Sequence, residues 1–292
     1  MKIVIAPDSF KESMTAQEAA KALERGVHCY DKTIKTILCP LADGGEGTLD
    51  TLVLALQGEK VEYEVTGPLF NKIMAPIGYV DDMAIIECAK VCGLELLDET
   101  QKDPSQTTSY GLGELIVHAV EHQVSKIMIC LGGSATNDGG AGVIQALGGK
   151  LLDKEGNELG FGGGELYKLH TIDLTNFDFR LKDVVVEVAC DVNNPLCGEN
   201  GASHVFGLQK GATLEMVSIL DRNLRHYADI IKEQLRKDIL DIPGAGAAGG
   251  LGAGLMTFLN GTLKTGIEMV IEYTSLEEKI KDADMVWTGE GS

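Results

Sequence analysis

Basic residues are in short supply in this chain. Its 292 residues include 25 Lys and Arg against 44 Asp and Glu, a formal net charge of −19. A surface with that field repels nucleic acid and anionic lipid unless its cations gather in one patch, and the sequence shows no such patch. Arginine stands only at positions 25, 180, 222, 225 and 236, outside the glycine-rich loops, which argues against an arginine-clamp mechanism. Long apolar runs are missing as well. No window nears the roughly eighteen apolar residues that span a bilayer. The N-terminal MKIVIAPDSF, broken at Pro7 and Asp8, is too short an apolar run for a signal peptide. The seven cysteines (Cys29, Cys39, Cys88, Cys92, Cys130, Cys190, Cys197) form no CxxC pair and sit mostly in apolar runs, so no disulfide framework is expected. A soluble cytoplasmic protein without nucleic-acid or membrane partners is the expectation. GxxxxGK[ST], HRD and DFG are absent, which excludes P-loop phosphotransferases and protein kinases. Internal repeats and low-complexity linkers are absent too.

Glycine is the residue in excess: 36 of 292, about 12% against a usual value of roughly 7%. Loops therefore carry much of the character of this chain. They alternate with strand and helix patterns. Residues 2–6 (KIVIA) read as a buried strand emptying into Pro7-Asp8. Thr15 three residues before Glu18 then makes a capping box ahead of Ala19, Ala20, Leu23 and Val27 at helical spacing. The unit recurs at 34–39 with 48–56, and at 126–131 with 141–147. That repetition predicts crossover connections and a largely parallel sheet in an α/β fold. Residues 61–65 and 84–88, joined by Gly67-Pro68 and the turn at Asp81-Asp82, read as a different module of alternating strands. Residues 150–183 read as a hairpin or excursion, 184–190 as a strand, and Val217 to Leu235 as one long amphipathic helix. The strand at 283–288 and the loop Gly289-Glu290-Gly291-Ser292 end the chain where the pattern calls for a helix, so native sequence is expected to continue beyond Ser292.

Five Gly- or Asx-rich loops follow strand patterns or open helices: 8–11, 43–47, 132–140, 191–194 and 244–254. In open α/β sheets, ligands bind beyond the carboxyl ends of strands, where helix N-termini offer free amides to anions. Gly132-Gly133 directly after a strand, with Ser134, Thr136 and Asn137 before a helix, is the best phosphate candidate. Gly244 to Gly249 matches GxGxxG with Glu268 nineteen residues on, but Pro243 and a preceding helix spoil the strand a dinucleotide fingerprint needs, so an anion-binding or close-packing loop is expected instead. Asp8, Asp43, Asp138 and Asp191 share strand-end contexts. Carboxylates converging on one cleft would repel one another without a cation, which points to Mg²⁺. Lys11 and Lys210 lie in loop-like contexts where a point charge can meet carboxylate or phosphate. His118 and His122, at i and i+4 without an HExxH glutamate, read as a solvated helix face.

Taken together, the loops resemble the bacterial glycerate kinases of the glycerate 2-kinase type. The matching segments are IAPDSFKESMTA at 5–16, PLADGGEGT at 40–48, TSYGLGELI at 108–116, LGGSATNDGGAG at 131–142, DVNNPLCGENGA at 191–202, FGLQKGA at 206–212, GAGAAGGLGAG at 244–254 and TGEGS at 288–292. The chain departs at position 208, where Leu stands in place of a common Pro, and in stopping at TGEGS where the family continues. The resemblance implies two α/β domains with the active site in the cleft between them. One, expected over 1–64 plus 261–292, is a Rossmann- or flavodoxin-like parallel sheet; the other, over 65–260, has a mixed sheet. It also implies transfer of the γ-phosphate of ATP to a hydroxyl of D-glycerate, the 2-position favoured, with Mg²⁺. On that reading Asp191 is the favoured base or substrate-orienting acid, with Asp43 and Asp138 as alternatives for the role. Asp43 serves Mg²⁺, and Lys11 stands with Asp8 at the phosphate or carboxylate. Asp8, Ser9, Asn193, Asn194 and Lys210 are expected at the substrate. Gly132, Gly133, Ser134, Asn137, Asp138, Gly289 and Glu290 are expected at the nucleotide. An NAD-dependent hydroxyacid oxidoreductase and a non-catalytic metabolite-binding module are the competing readings.

Overall fold

The computed structural model describes residues 1–10 and 13–291. The chain opens with β1 (Lys2–Ile5), α1 (Ala16–Tyr30), β2 (Lys35–Leu38) and α2 (Thr48–Ala55), then forms an antiparallel meander of β3 (Glu59–Thr66), β4 (Lys72–Val80) and β5 (Met83–Glu87). Next come α3 (Ala89–Cys92), α4 (Tyr110–Glu121), β6 (Lys126–Cys130) and α5 (Ala141–Ala146). The small hairpin strands β7 (Lys150–Leu152) and β8 (Thr171–Asp173) follow, and then β9 (Val185–Ala189). The last part holds α6 (Ala202–Phe206), α7 (Leu214–Leu235), α8 (Ala247–Phe258), β10 (Thr262–Lys264), α9 (Gly266–Tyr273), α10 (Leu276–Ile280) and β11 (Met285–Trp287). None of the described helices is long and apolar enough to cross a membrane.

The strands build a three-stranded parallel sheet in the order β11-β1-β2 and a six-stranded mixed sheet in the order β10-β9-β6-β5-β4-β3. The first and last strand patterns of the chain do pair: Ile3 lies opposite Met285 and Ile5 opposite Trp287. Ile3, Val4 and Ile5 are fully buried, at about 1.5–3 kcal/mol of hydrophobic stabilisation each. Helix α1 starts as its sequence signals, with Thr15 Oγ1 accepting from the Glu18 amide and the Glu18 carboxylate accepting from the Thr15 amide at 2.8 Å. Helix α7 buries Val217, Leu220, Leu224, Tyr227 and Ile231 along one stripe.

Two expectations change. The alternating strands at 61–65 and 84–88 are not a module of their own, because β5 pairs in parallel with β6 and joins them to the central parallel strands. The expected domain limits at 64 and 261 fall within β3 and just before β10, both edge strands of the six-stranded sheet. β3 pairs along its whole length with β4, and β10 pairs with β9. Leu49 and Leu52 of α2 and Met269 and Val270 of α9 pack with Met83, Ile85 and Met128 on one face of the six-stranded sheet. His118 and His122 are not merely solvated. Their rings stack on Tyr63 and Tyr79, at 4.3 and 4.0 Å between centroids, because α4 lies across β3 and β4.

Candidate active site

A cleft of about 240 Å³ opens where the carboxyl ends of β6 and β9 meet the loop after β2. Three loops approach more closely than side chains would allow. A Cβ on Gly132 would sit 2.8 Å from the Gly45 Cα. One on Gly266 would lie 1.9 Å from the Asp43 carbonyl oxygen, and one on Gly44 would meet Ala189 and Gly266 at 2.9 Å. Gly44 also has φ +87, a left-handed conformation that glycine adopts without strain. These glycines let Asp43, Gly132 and Asp191 share one cavity.

Asp43 and Asp191 are exposed carboxylates on its wall. Asp43 Oδ1 accepts from the Gly45 amide at 2.9 Å. Asp191 Oδ1 accepts from the Gly266 amide, also at 2.9 Å, at the N-terminus of α9, where Thr265 is the N-cap. Partial burial raises the Asp191 pKa above the ordinary carboxylate range; the Gly266 amide opposes the shift, and the charges of Asp43 and Glu268 add to it.

Across the cavity stands Lys210, only 2% exposed. Its Nζ donates to Ser134 Oγ at 3.0 Å and to the Thr136 carbonyl at 2.7 Å. Two of its three N–H groups are thus used, and no carboxylate pairs with it among the described residues. Burial pulls its pKa down to about 8, opposed by the neighbouring Cys92, Asp138 and Cys88. The turn that places it needs Gly211, at φ +93, where a Cβ would lie 2.2 Å from the Lys102 carbonyl oxygen.

The other expected residues divide into groups. Gly132, Gly133 and Ser134 line the cleft with Lys210, Asp43 and Asp191. Asn137 and Asp138 do not; both are fully buried beneath the loop. Asn137 Nδ2 donates to Ser203 Oγ at 3.0 Å. Asp138 accepts from the Ser109 amide at 2.8 Å, from Ser109 Oγ at 2.9 Å and from the Gly140 amide at 3.1 Å, which ties the start of α4 to the start of α5. Asn193 and Asn194 fall outside the lining, and Asn194 Nδ2 donates to the Asn200 carbonyl at 2.9 Å within its own loop.

Asp8, Ser9, Gly289 and Glu290 gather at the carboxyl end of the small sheet. The Asp8 amide donates to the Gly289 carbonyl at 2.9 Å and the Ser9 amide to Asp8 Oδ1 at 2.6 Å. Burial raises the Asp8 pKa, the Ser9 amide lowers it, and Asp43 and Glu290 raise it further, so this group faces the Asp43 loop electrostatically. Lys11 lies outside the described residues.

Sequence reasoning missed Leu94, Cys190, Phe206 and Gln209, which also line the cleft, as do Ala247 and Ala248 of the 244–254 loop. Gln209 stands beside Lys210 in the FGLQKGA segment, so the motif carried the signal. Thr265, three residues before Glu268, is a legible N-cap and could have located the amide that holds Asp191. The Gly244 to Gly249 segment is a close-packing element. A Cβ on Gly246 would lie 2.2 Å from the Pro195 carbonyl oxygen, and one on Gly249 would lie 1.9 Å from that of Thr136. Ala248, between them on the cleft wall, is left-handed at φ 51 and costs roughly 1–2 kcal/mol.

The sequence model of the glycerate kinase family matches residues 3–292. The chain is 54% identical to the glycerate 2-kinase of Escherichia coli (strain K12), covering 100% of this chain and 77% of that protein. It is 50% identical to the glycerate kinase of Bacillus subtilis (strain 168), with the same coverage of each. Among solved structures, a chain from Salmonella typhimurium LT2 carrying the name glycerate kinase 2 superposes with a TM-score of 0.96 at 51% identity, covering 100% of this chain and 79% of that one. With a family match along nearly its whole length and relatives at half identity or more, this chain belongs to the glycerate kinase family.

Proposed function

We propose that this chain transfers the γ-phosphoryl group of ATP to a hydroxyl of D-glycerate, the 2-hydroxyl favoured, in the cleft bounded by Asp43, Asp191, Gly132 to Ser134 and Lys210. The observation that carries this reading is the buried Lys210, one donor of which is unused among the described residues, facing two exposed carboxylates across a glycine-lined cavity. A cation held in a low-dielectric wall with no carboxylate in direct contact among the described residues is arranged to meet an anion that arrives with the substrates. The names of the relatives supply the acceptor, glycerate. We take the two units of the protein as residues 1–64 with 261–292 and residues 65–260.

The roles follow from position. The amides of Gly132 and Gly133 and the hydroxyl of Ser134 take phosphate oxygens, with Lys210 neutralising charge as the loose transition state develops. Asp191, held by the Gly266 amide through one oxygen, turns the other to the acceptor hydroxyl and takes its proton late. Its raised pKa suits that task. The donor set also fits Mg²⁺. Asp43 and Asp191 are hard oxygen ligands, each with one oxygen free of protein hydrogen bonds among the described residues, and Mg²⁺ commonly uses one or two carboxylates together with substrate phosphates. Asp43 is the residue we assign to it, and bound there it would neutralise phosphate charge. Asp8, Ser9, Gly289 and Glu290 approach from the small sheet, towards the substrates.

The test is turnover of D-glycerate with Mg-ATP, the product identified by phosphorus NMR, in the parent and in Asp191→Asn. The variant should fold, keep glycerate affinity and lose at least about 10²-fold in kcat. Near-parental kcat would remove Asp191 from the role and leave Asp43 to be tried.

A further inference from the structure

We propose that Glu87 is a positioning residue for the Asp43 loop: its carboxylate caps α2 from a neighbouring strand and thereby sets the loop that carries Asp43 into the cleft. The inference rests on the phosphoryl-transfer reading of that cleft. Helix α2 begins directly after the loop, and its N-cap, Gly47, is left-handed at φ 86 with no side chain to bond the first-turn amides. Those amides need an acceptor from elsewhere. The Leu49 amide finds Glu87 Oε1 at 2.7 Å, from 38 residues away in sequence.

The position of Glu87 makes this more than a chance contact. Met83 and Ile85 precede it on the same face of β5 and pack as buried apolar side chains against Leu49 and Leu52. Alternation would place a third apolar residue where Glu87 stands. Instead a carboxylate is buried there, 2% exposed, with Oε2 lacking a protein partner among the described residues. Desolvating it is costly. A leucine would remove that cost and leave the Leu49 amide unpaired. A negative charge at a helix N-terminus also gains from the helix dipole.

The loop crosses the carboxyl ends of three adjacent strands in order. Gly44 sits on Ala189 at the end of β9, Gly45 lies against Gly132 just after the end of β6, and Leu49 bonds Glu87 at the end of β5. Thr48 Oγ1 donates back to the Gly45 carbonyl at 2.8 Å, which links the helix start to the residue that bonds Asp43. Glu87 is thus the anchor at the far end of a short span whose near end lies in the cleft.

The experiment compares Glu87→Gln, which keeps an acceptor, with Glu87→Leu, which removes it, in the intact protein. Two readouts are taken: kcat and KM for glycerate and ATP, and hydrogen exchange of the amides at 44–49. In the leucine variant kcat should fall at least about tenfold with KM for ATP within about twofold, since misplacement of a reacting group acts on the chemical step. Exchange at 44–49 should quicken about tenfold while the strand amides of β6 keep their protection. Glutamine should restore both to within about threefold. Parental kcat and exchange in the leucine variant, or glutamine as impaired as leucine, would overturn the proposal. If leucine prevents folding, Glu87→Asp takes its place, one methylene too short to reach; equal behaviour of the aspartate and glutamine variants would then refute it. Absence of glycerate turnover in the parent would sink the phosphoryl-transfer reading instead, and loop exchange would still decide the capping.

Discussion

Replacing Lys210 with methionine separates what this residue costs from what it does. Its pKa falls from 10.5 to about 8 on folding, because burial disfavours the ammonium. At 1.36 kcal/mol per pKa unit, the charged form is about 3 kcal/mol less favourable in the native state than in the unfolded one. The native state releases its proton first, so that cost is fully present below pH 8 and is relieved as pH rises from about 8 towards 10.5. Methionine removes the charge and fills similar space, but the Thr136 carbonyl loses its donor at about 1–3 kcal/mol. The balance predicts that Lys210→Met is more stable than the parent by about 1 kcal/mol at pH 7. By pH 9.5 the parent should have recovered about 2 kcal/mol relative to the variant, which reverses or cancels the difference. Urea unfolding at the two pH values measures both. Phosphoryl transfer by the variant should fall at least about 10²-fold, the scale for loss of a preorganised charge. A variant less stable at pH 7, with a stability difference that does not change with pH, would refute the argument that Lys210 is held at a cost for an incoming anion.

Three further outcomes follow. Gly132→Ala drives a Cβ into Gly45, so apparent affinity for ATP should drop about tenfold or more while unfolding free energy changes by less than about 2 kcal/mol; unchanged affinity by calorimetry would remove this loop from the nucleotide site. Asp138→Ala strips the acceptor that joins α4 to α5 and should cost about 3 kcal/mol or more in urea unfolding, with nucleotide affinity of the folded protein retained; the opposite pattern would return Asp138 to the nucleotide site. Burial raises the Glu87 pKa from 4.5 to about 7, so the native state holds its proton longer than the unfolded state and this group's contribution to stability falls between pH 4.5 and 7, by about 3 kcal/mol in total. The slope should vanish in Glu87→Gln, and an identical pH profile in the two proteins would contradict it.

Much of the architecture is written locally. The apolar run at 2–6, the Thr15–Glu18 capping box and the stripe from Val217 to Ile231 each use signals a few residues apart, and the structure realises them where they stand. The loops that hold Asp43, Gly132 and Asp191 were legible for the same reason: glycine beside an acid at a strand end is a short-range pattern with a backbone cause. Tertiary packing decided what short-range pattern leaves open. Asp43 and Asp138 look alike in sequence, yet one is exposed in the cleft and the other buried under it, because Ser109 of a distant helix start bonds Asp138 and draws it inward. Lys210 becomes a cleft residue only because its turn packs against the 134–136 loop, 74 residues or more away in sequence. Strands β3 and β10 join the large sheet by pairing with β4 and β9, and the acceptor for α2 comes from β5. Each of these contacts is made between segments whose own patterns are satisfied by more than one partner, so the choice among partners belongs to the folded packing as a whole.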